Sequence, residues 1–138
     1  MPCTTILVGR NASHDGSTII ARNDDGGFES KRVLAHAPRK EPGSYKSVRS
    51  HLTVPLPGNA LGYTDCPNVT KTNGLWPACG INRANVAMTA TETITSNARV
   101  LGADPYVEYR PQKGRSSQEI PGGIGEEDLV TLVLPYIH

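Results

Sequence analysis

Two β-branched runs separated by a cluster of turn formers constrain this chain more than any other feature. Cys3-Thr4-Thr5-Ile6-Leu7-Val8-Gly9 and Ser17-Thr18-Ile19-Ile20-Ala21-Arg22-Asn23-Asp24-Asp25 both have strand composition. Between them, Asn11-Ala12-Ser13-His14-Asp15-Gly16 supplies residues that close a hairpin. A hairpin carries the cation Arg22 and the carboxylates Asp24 and Asp25 back toward Cys3, although the sequence does not fix the register. Removal of Met1 and Pro2 as a short propeptide would leave one residue with both a sulfur nucleophile and a base, its own α-amino group. The ordinary pKa of that amine, roughly 7.7–8.0, suits proton transfer near neutral pH. The competing readings are a small buried hydrophobe at Cys3 and a plain strand-end ion pair at Arg22 and Asp25.

Further along, Lys31 to His36 and Ser50 to Val54 have strand character, divided by the Pro- and Gly-bearing segment Ala37 to Tyr45. Within that segment Arg39-Lys40-Glu41-Pro42 reads as a solvated connector, and Leu56 to Gly74 reads as turn-rich. Ala78-Cys79-Gly80-Ile81 leads into an Asn82-Arg83-Ala84-Asn85 turn and a second strand from Val86 to Thr91. Val100 to Gly123 is irregular, with Arg110 to Ser117 a loop. A helix is expected from about Gly125, because Glu126, Glu127 and Asp128 favour the positive end of a helix dipole. Leu129, Val130, Leu132 and Val133 give that helix an apolar face, and Pro135 should stop or kink it.

With these segments in view, four motifs resemble peptidase family C69, the cysteine dipeptidases. They are Cys3 to Gly9, Asp15-Gly-Ser-Thr-Ile-Ile-Ala-Arg-Asn-Asp-Asp25, Gly80-Ile-Asn-Arg-Ala-Asn-Val-Ala-Met-Thr-Ala-Thr-Glu-Thr93, and Gly125-Glu-Glu-Asp128. The resemblance runs nearly end to end along this chain but covers only the N-terminal portion of a typical member. It implies an α+β fold, the four-layer αββα sandwich of N-terminal-nucleophile hydrolases, with residues 1–138 forming part of one such domain. By the same resemblance Cys3 matches the nucleophile, Asp25 lies by its amino group, and Arg22 lies against the thiol. A fixed guanidinium charge there favours thiolate, the reactive form. Asp24, Asn82, Thr91 and Glu92 are the substrate-binding candidates. Glu92 stands where the acylase relatives carry an oxyanion-holding asparagine. A carboxylate opposes a developing oxyanion, which shifts that role to Asn82 or backbone N–H groups and leaves Glu92 to meet a substrate ammonium or simply to end a strand.

The activity implied is hydrolysis of a free dipeptide through a thioester on Cys3, with no cofactor and no metal. An amide acylase of the penicillin V acylase or bile salt hydrolase type, and a non-catalytic truncated remnant, stay open as alternatives. A dipeptide is the expected partner, with a second copy in a homo-oligomer also open. Formal charges nearly cancel at +1, so no basic groove for nucleic acid and no membrane-directed patch is indicated. No apolar run approaches the roughly 20 residues that span a bilayer, and a cytoplasmic location is expected. The 3 cysteines do not make an even disulfide framework or a C-x-x-C site. Cys66 and Cys79 are therefore read as reduced bystanders, and the four histidines as scattered.

Overall fold

The turn formers between the first two β-branched runs do fold them together. In the structure, a computed structural model that describes residues 3–23, 30–47, 52–70, 74–90 and 126–138, β1 (Thr5–Val8) and β2 (Ile19–Arg22) pair antiparallel. Thr5 lies opposite Arg22 and Val8 opposite Ile19. The turn is held by local hydrogen bonds: Ala12 N–H donates to Gly9 O at 2.9 Å and Ser17 N–H to Asp15 Oδ1 at 3.0 Å. Gly16 supplies the left-handed residue, with φ of 77°.

A five-stranded antiparallel sheet forms the centre of the described structure. Its long strands are β7 (Tyr63–Thr70) and β8 (Gly74–Asn82), and β9 (Ala87–Thr89) extends it beside β8. On the other edge of β7, two short strands lie end to end, β3 (Ser30–Lys31) and β4 (Leu34–His36). The expected single strand from Lys31 to His36 is thus interrupted at Arg32 and Val33. β3 meets β7 at Asn68 and Val69, and β4 meets it from Tyr63 to Asp65. The interruption therefore falls beside Pro67, whose missing N–H has no ladder bond to give.

Three more expectations need correction. The stretch Ala37 to Tyr45 is not only a divider, because β5 (Gly43–Lys46) begins within it and pairs with β6 (Thr53–Leu56) as a separate two-stranded ribbon. Leu56 to Gly74 is not mainly turn: β7 lies inside it, buried at Asp65 and Pro67. Its polar residues and proline hide it in the sequence, and pairing on both edges overrides local propensity. Arg39 is not a solvated connector either. Its guanidinium donates to Glu41 O, to Pro57 O at 3.3 Å and to Tyr136 Oη at 2.9 Å.

The C-terminal segment folds as expected. α1 (Glu126–Val133) passes into a 3-10 turn at Leu134–Tyr136 that contains Pro135. Packing of α1 and the 3-10 turn on β8 buries Val130 and Leu134 completely. β8 can accept them because small residues lie at the contact: Ala78 is buried, and a Cβ on Gly80 would meet Leu134 Cδ2 at 2.7 Å and Thr64 O at 2.6 Å. Tyr45 Oη donates to the buried Asp128 Oδ1 at 2.7 Å, tying β5 to the helix. Asp128 is thus an internal hydrogen-bond acceptor as well as a helix-start charge. Among the described residues, strands together with an α-helix and a 3-10 turn agree with an α+β class. No helix among the described residues is long and apolar enough to cross a membrane.

The tight seat at Gly80 gives a direct test. Gly80→Ala should destabilise the fold by about 1–3 kcal/mol, since backbone and a packed leucine must both give way. A urea midpoint equal to that of the parent chain would refute this packing.

Candidate active site

The β1–β2 register decides which side chains meet. With Thr5 opposite Arg22, the next pair outward is Thr4 and Asn23, and it is closed twice. Thr4 N–H donates to Asn23 Oδ1 at 2.6 Å, and Asn23 N–H donates to Thr4 O at 3.1 Å. Cys3 follows at the hairpin's open end, half-buried. There Arg22 Nη2 donates to Cys3 Sγ at 3.4 Å, while Nη1 reaches Ala78 O on β8 at 3.4 Å. One planar guanidinium thus spans from the thiol to the central sheet. Its fork shape lets two donors serve two acceptors at once, which a lysine ammonium does without such fixed geometry.

Ala78 O lies where β8 departs from regular pairing. β7 and β8 pair as Tyr63–Asn82, Thr64–Ile81 and Asp65–Gly80, then resume at Pro67–Pro77 after a register shift. Such an irregularity re-aims backbone groups. The Ala78 carbonyl also accepts Ala90 N–H at 2.9 Å. Neither Asn23 nor the Ala78 carbonyl is identified by the sequence reading. The register of the hairpin would have found Asn23, but the β8 irregularity has no local sequence signal beyond nearby proline.

Asn82 is brought into a different role from the expected one. Its Nδ2 donates to Leu134 O at 2.9 Å and to Ile137 O at 2.7 Å, and its Oδ1 accepts Ala84 N–H at 2.9 Å and Val86 N–H at 3.0 Å. A neutral amide has two donor hydrogens and two acceptor lone pairs. All four are used inside the protein, with the residue 4% exposed, so no donor is left for an oxyanion or a substrate. The correction concerns function rather than placement: the Asn82 turn forms, and Asn85 takes the left-handed φ of 59° that asparagine tolerates. Asp24, Asp25, Thr91 and Glu92 lie outside the described residues.

A second polar cluster was missed because its two members lie 29 residues apart and Asp65 falls in the stretch read as turn-rich. His36 Nε2 lies 3.0 Å from Asp65 Oδ2, and its ring stacks on Tyr63 with centroids 4.2 Å apart. Burial pushes the Asp65 carboxyl above the usual value, and the hydrogen bond and charge of His36 pull it partly back. Burial, then the Asp65 charge, pushes the Tyr63 hydroxyl up to about 12. Among the described residues, no group of histidine, cysteine and carboxylate side chains is arranged to hold a metal ion.

An apolar cleft of about 690 Å³ separates the β1–β2 hairpin from the main sheet. Leu7, Val8 and Ile20 line one wall, and Cys66, Cys79 and Met88 line the other. Cys3 and Arg22 are not among its lining residues. The cleft is therefore a neighbour of the thiol rather than its immediate pocket.

Comparison with known proteins adds a consistent picture. The sequence profile described as Peptidase family C69 matches residues 2–138. Over 99% of its length the chain is 59% identical to a protein of Bifidobacterium longum (strain NCC 2705) named dipeptidase, of which the match covers 26%. It is 56% identical over 98% of its length to a probable dipeptidase B of Lactococcus lactis subsp. lactis (strain IL1403), covering 26% of that protein. It is 49% identical over 99% of its length to dipeptidase A of Lactobacillus helveticus, covering 28% of that protein. The chain thus spans about a quarter of the length of these relatives.

Two outcomes follow from the side chains. Asn82→Ala should lower stability by at least about 3 kcal/mol, because each buried partner left unsatisfied costs about 1–3 kcal/mol. Unchanged denaturation with loss of peptide binding would instead restore a ligand role. At Asp65 the raised folded-state pKa means that the folded chain holds that proton more tightly than the unfolded chain. Its contribution to stability is complete below the ordinary value of 3.8 and is lost as pH rises through the raised value. Unfolding free energies measured across the acid range should therefore fall with rising pH in the parent relative to Asp65→Asn. A parallel pair of curves would contradict the assigned shift.

Proposed function

The chain belongs to peptidase family C69, and on that premise we propose that it is the nucleophile-bearing part of a dipeptidase acting through Cys3. The observation that carries this reading is the 3.4 Å contact between Arg22 Nη2 and Cys3 Sγ at the open end of the hairpin. Such a contact sets a fixed positive charge and a hydrogen-bond donor against the sulfur that is to attack, because a guanidinium stays charged at any working pH. The names of the relatives supply the substrate class: a free dipeptide.

In the proposed reaction, removal of Met1 and Pro2 frees the α-amino group of Cys3. The sulfur attacks the scissile carbonyl and the amine takes the thiol proton. Collapse of the tetrahedral adduct breaks the C–N bond as the amine passes that proton to the leaving amino group. Water then attacks the thioester carbonyl, with the Cys3 amine again accepting the proton, and the second product leaves with the thiol restored. Backbone N–H groups serve the oxyanion, since the Asn82 amide is fully engaged. Asp25 is assigned to orient the amine. Asp24, Thr91 and Glu92 are assigned to the substrate, with the carboxylate of Glu92 suited to its ammonium.

The fold that accompanies this reading is the N-terminal-nucleophile αββα sandwich, to which residues 1–138 contribute one portion of a single domain. Its layers are supported by the antiparallel sheet with α1 on one face.

Intact mass and dipeptide turnover should be measured together. The expected active species begins at Cys3, hydrolyses a free dipeptide in preference to its N-acylated analogue, and loses roughly a thousandfold or more in rate on Cys3→Ala. Undiminished hydrolysis by Cys3→Ala would refute the mechanism.

A further inference from the structure

Cys66 and Cys79 occupy an arrangement that the proposed hydrolysis does not use. The pairs Tyr63–Asn82, Thr64–Ile81 and Asp65–Gly80 define one register, pairing resumes at Pro67–Pro77, and the irregularity between Asp65 and Pro67 leaves Cys66 facing the two residues Cys79 and Ala78. Residues on a strand alternate between faces. Asn82 and the Cβ direction of Gly80 face the helical segment, so Cys79 and Ile81 lie on the opposite face, and Thr64 and Cys66 lie there with them. Both cysteines line the apolar cleft, and neither is fully buried. Burial, and next the neighbouring Cys66 sulfur, holds the Cys79 thiol above its ordinary value, in keeping with two sulfurs side by side.

We infer that Cys66 and Cys79 form a cross-strand dithiol that closes to a disulfide when it reduces a small disulfide of the glutathione type, and that closure acts on the Arg22–Cys3 contact through Ala78. One cysteine thiolate attacks the small disulfide, forming a mixed disulfide and releasing one thiolate. The second cysteine thiolate then attacks the protein sulfur of that mixed disulfide, forming the Cys66–Cys79 bond and releasing the other thiolate. The two protons lost by the cysteines balance the two thiolates released, so the dithiol is oxidised by two electrons and the small disulfide is reduced by two.

Geometry makes closure feasible and gives it a consequence. In regular pairing, as at the adjoining Asp65–Gly80, opposed Cα atoms lie about 4.5–5.5 Å apart, inside the roughly 4.4–6.8 Å range that a disulfide spans. Opposed Cβ atoms, at about 4.5–5.5 Å, must still be drawn in to the roughly 3.5–4.5 Å of a disulfide. That pull acts on β8 at the residue next to Ala78, whose carbonyl holds Arg22 Nη1. The catalytic consequence rests on the proposed role of Cys3, whereas the disulfide itself does not.

The whole chain should be equilibrated with mixtures of reduced and oxidised glutathione, quenched with acid, and its linkages mapped by mass spectrometry without reduction. The expected result is a Cys66–Cys79 link favoured about tenfold more in the folded chain than in denaturing guanidinium chloride, equivalent to about 30 mV. Equal or weaker closure in the folded chain, a link to Cys3, or arrest at a glutathione adduct would overturn the dithiol. Iodoacetamide labelling of Cys3 should differ at least threefold between reduced and oxidised protein, and Cys66→Ser and Cys79→Ser should each abolish the difference. A mapped link with unchanged Cys3 labelling would overturn the coupling, and dipeptide hydrolysis surviving Cys3→Ala would overturn only the catalytic reading.

Discussion

The buried amide of Asn82 is the joint on which the rest of the described structure depends. It sits at the end of β8, where the chain turns toward β9, and its oxygen holds the turn while its nitrogen holds the carbonyls of Leu134 and Ile137. Sheet edge, turn and C-terminal segment are therefore fixed by one planar group. Around it the packing is cooperative: Gly80 leaves room for Leu134, Leu61 N–H donates to Pro135 O at 2.8 Å, and Arg39 reaches Tyr136. A hydrogen bond in this setting contributes modestly when made and costs more when its buried partner is left unmade.

Arg22 has a comparable role for the chemistry. A two-stranded hairpin is marginal by itself in water, and a thiol at its end would be poorly placed. The guanidinium ties that end to the Ala78 carbonyl and thereby refers the position of Cys3 to β8, a strand paired on both edges. His36 and Asp65 show the opposite balance of forces. Their contact is close, yet burial still outweighs the attraction in setting the Asp65 carboxyl. The same kind of contact thus serves positioning in one place and carries a desolvation cost in the other.

The parts legible in the sequence are those governed by local chemistry. The first hairpin could be read because β-branched runs flank turn formers, and the helix because acidic residues precede an apolar face and Pro135 follows it. The asparagine turn after β8 could be read for the same reason. β7 could not, since Asp65, Cys66 and Pro67 look like loop residues until strands pair on both sides. Nor could the use of Asn82 be foreseen: its turn is local, but two of its acceptors lie 52 and 55 residues away. Arg39 was obscured similarly, by a hydroxyl 97 residues further along. At the candidate site the Cys3–Arg22 approach was legible, while its support from Ala78 depended on a strand irregularity.

The Ala78 carbonyl has a mechanical consequence, because two separate parts of the structure draw on it. It accepts Ala90 N–H at 2.9 Å and Arg22 Nη1 at 3.4 Å. A carbonyl oxygen has two lone pairs, so one acceptor holds the β9 side of the sheet and the open end of the hairpin at once. A small rotation of that single peptide unit must therefore be shared between them: what one donor gains in alignment the other loses, and the thiol end cannot drift from the sheet without disturbing the strand that supports it.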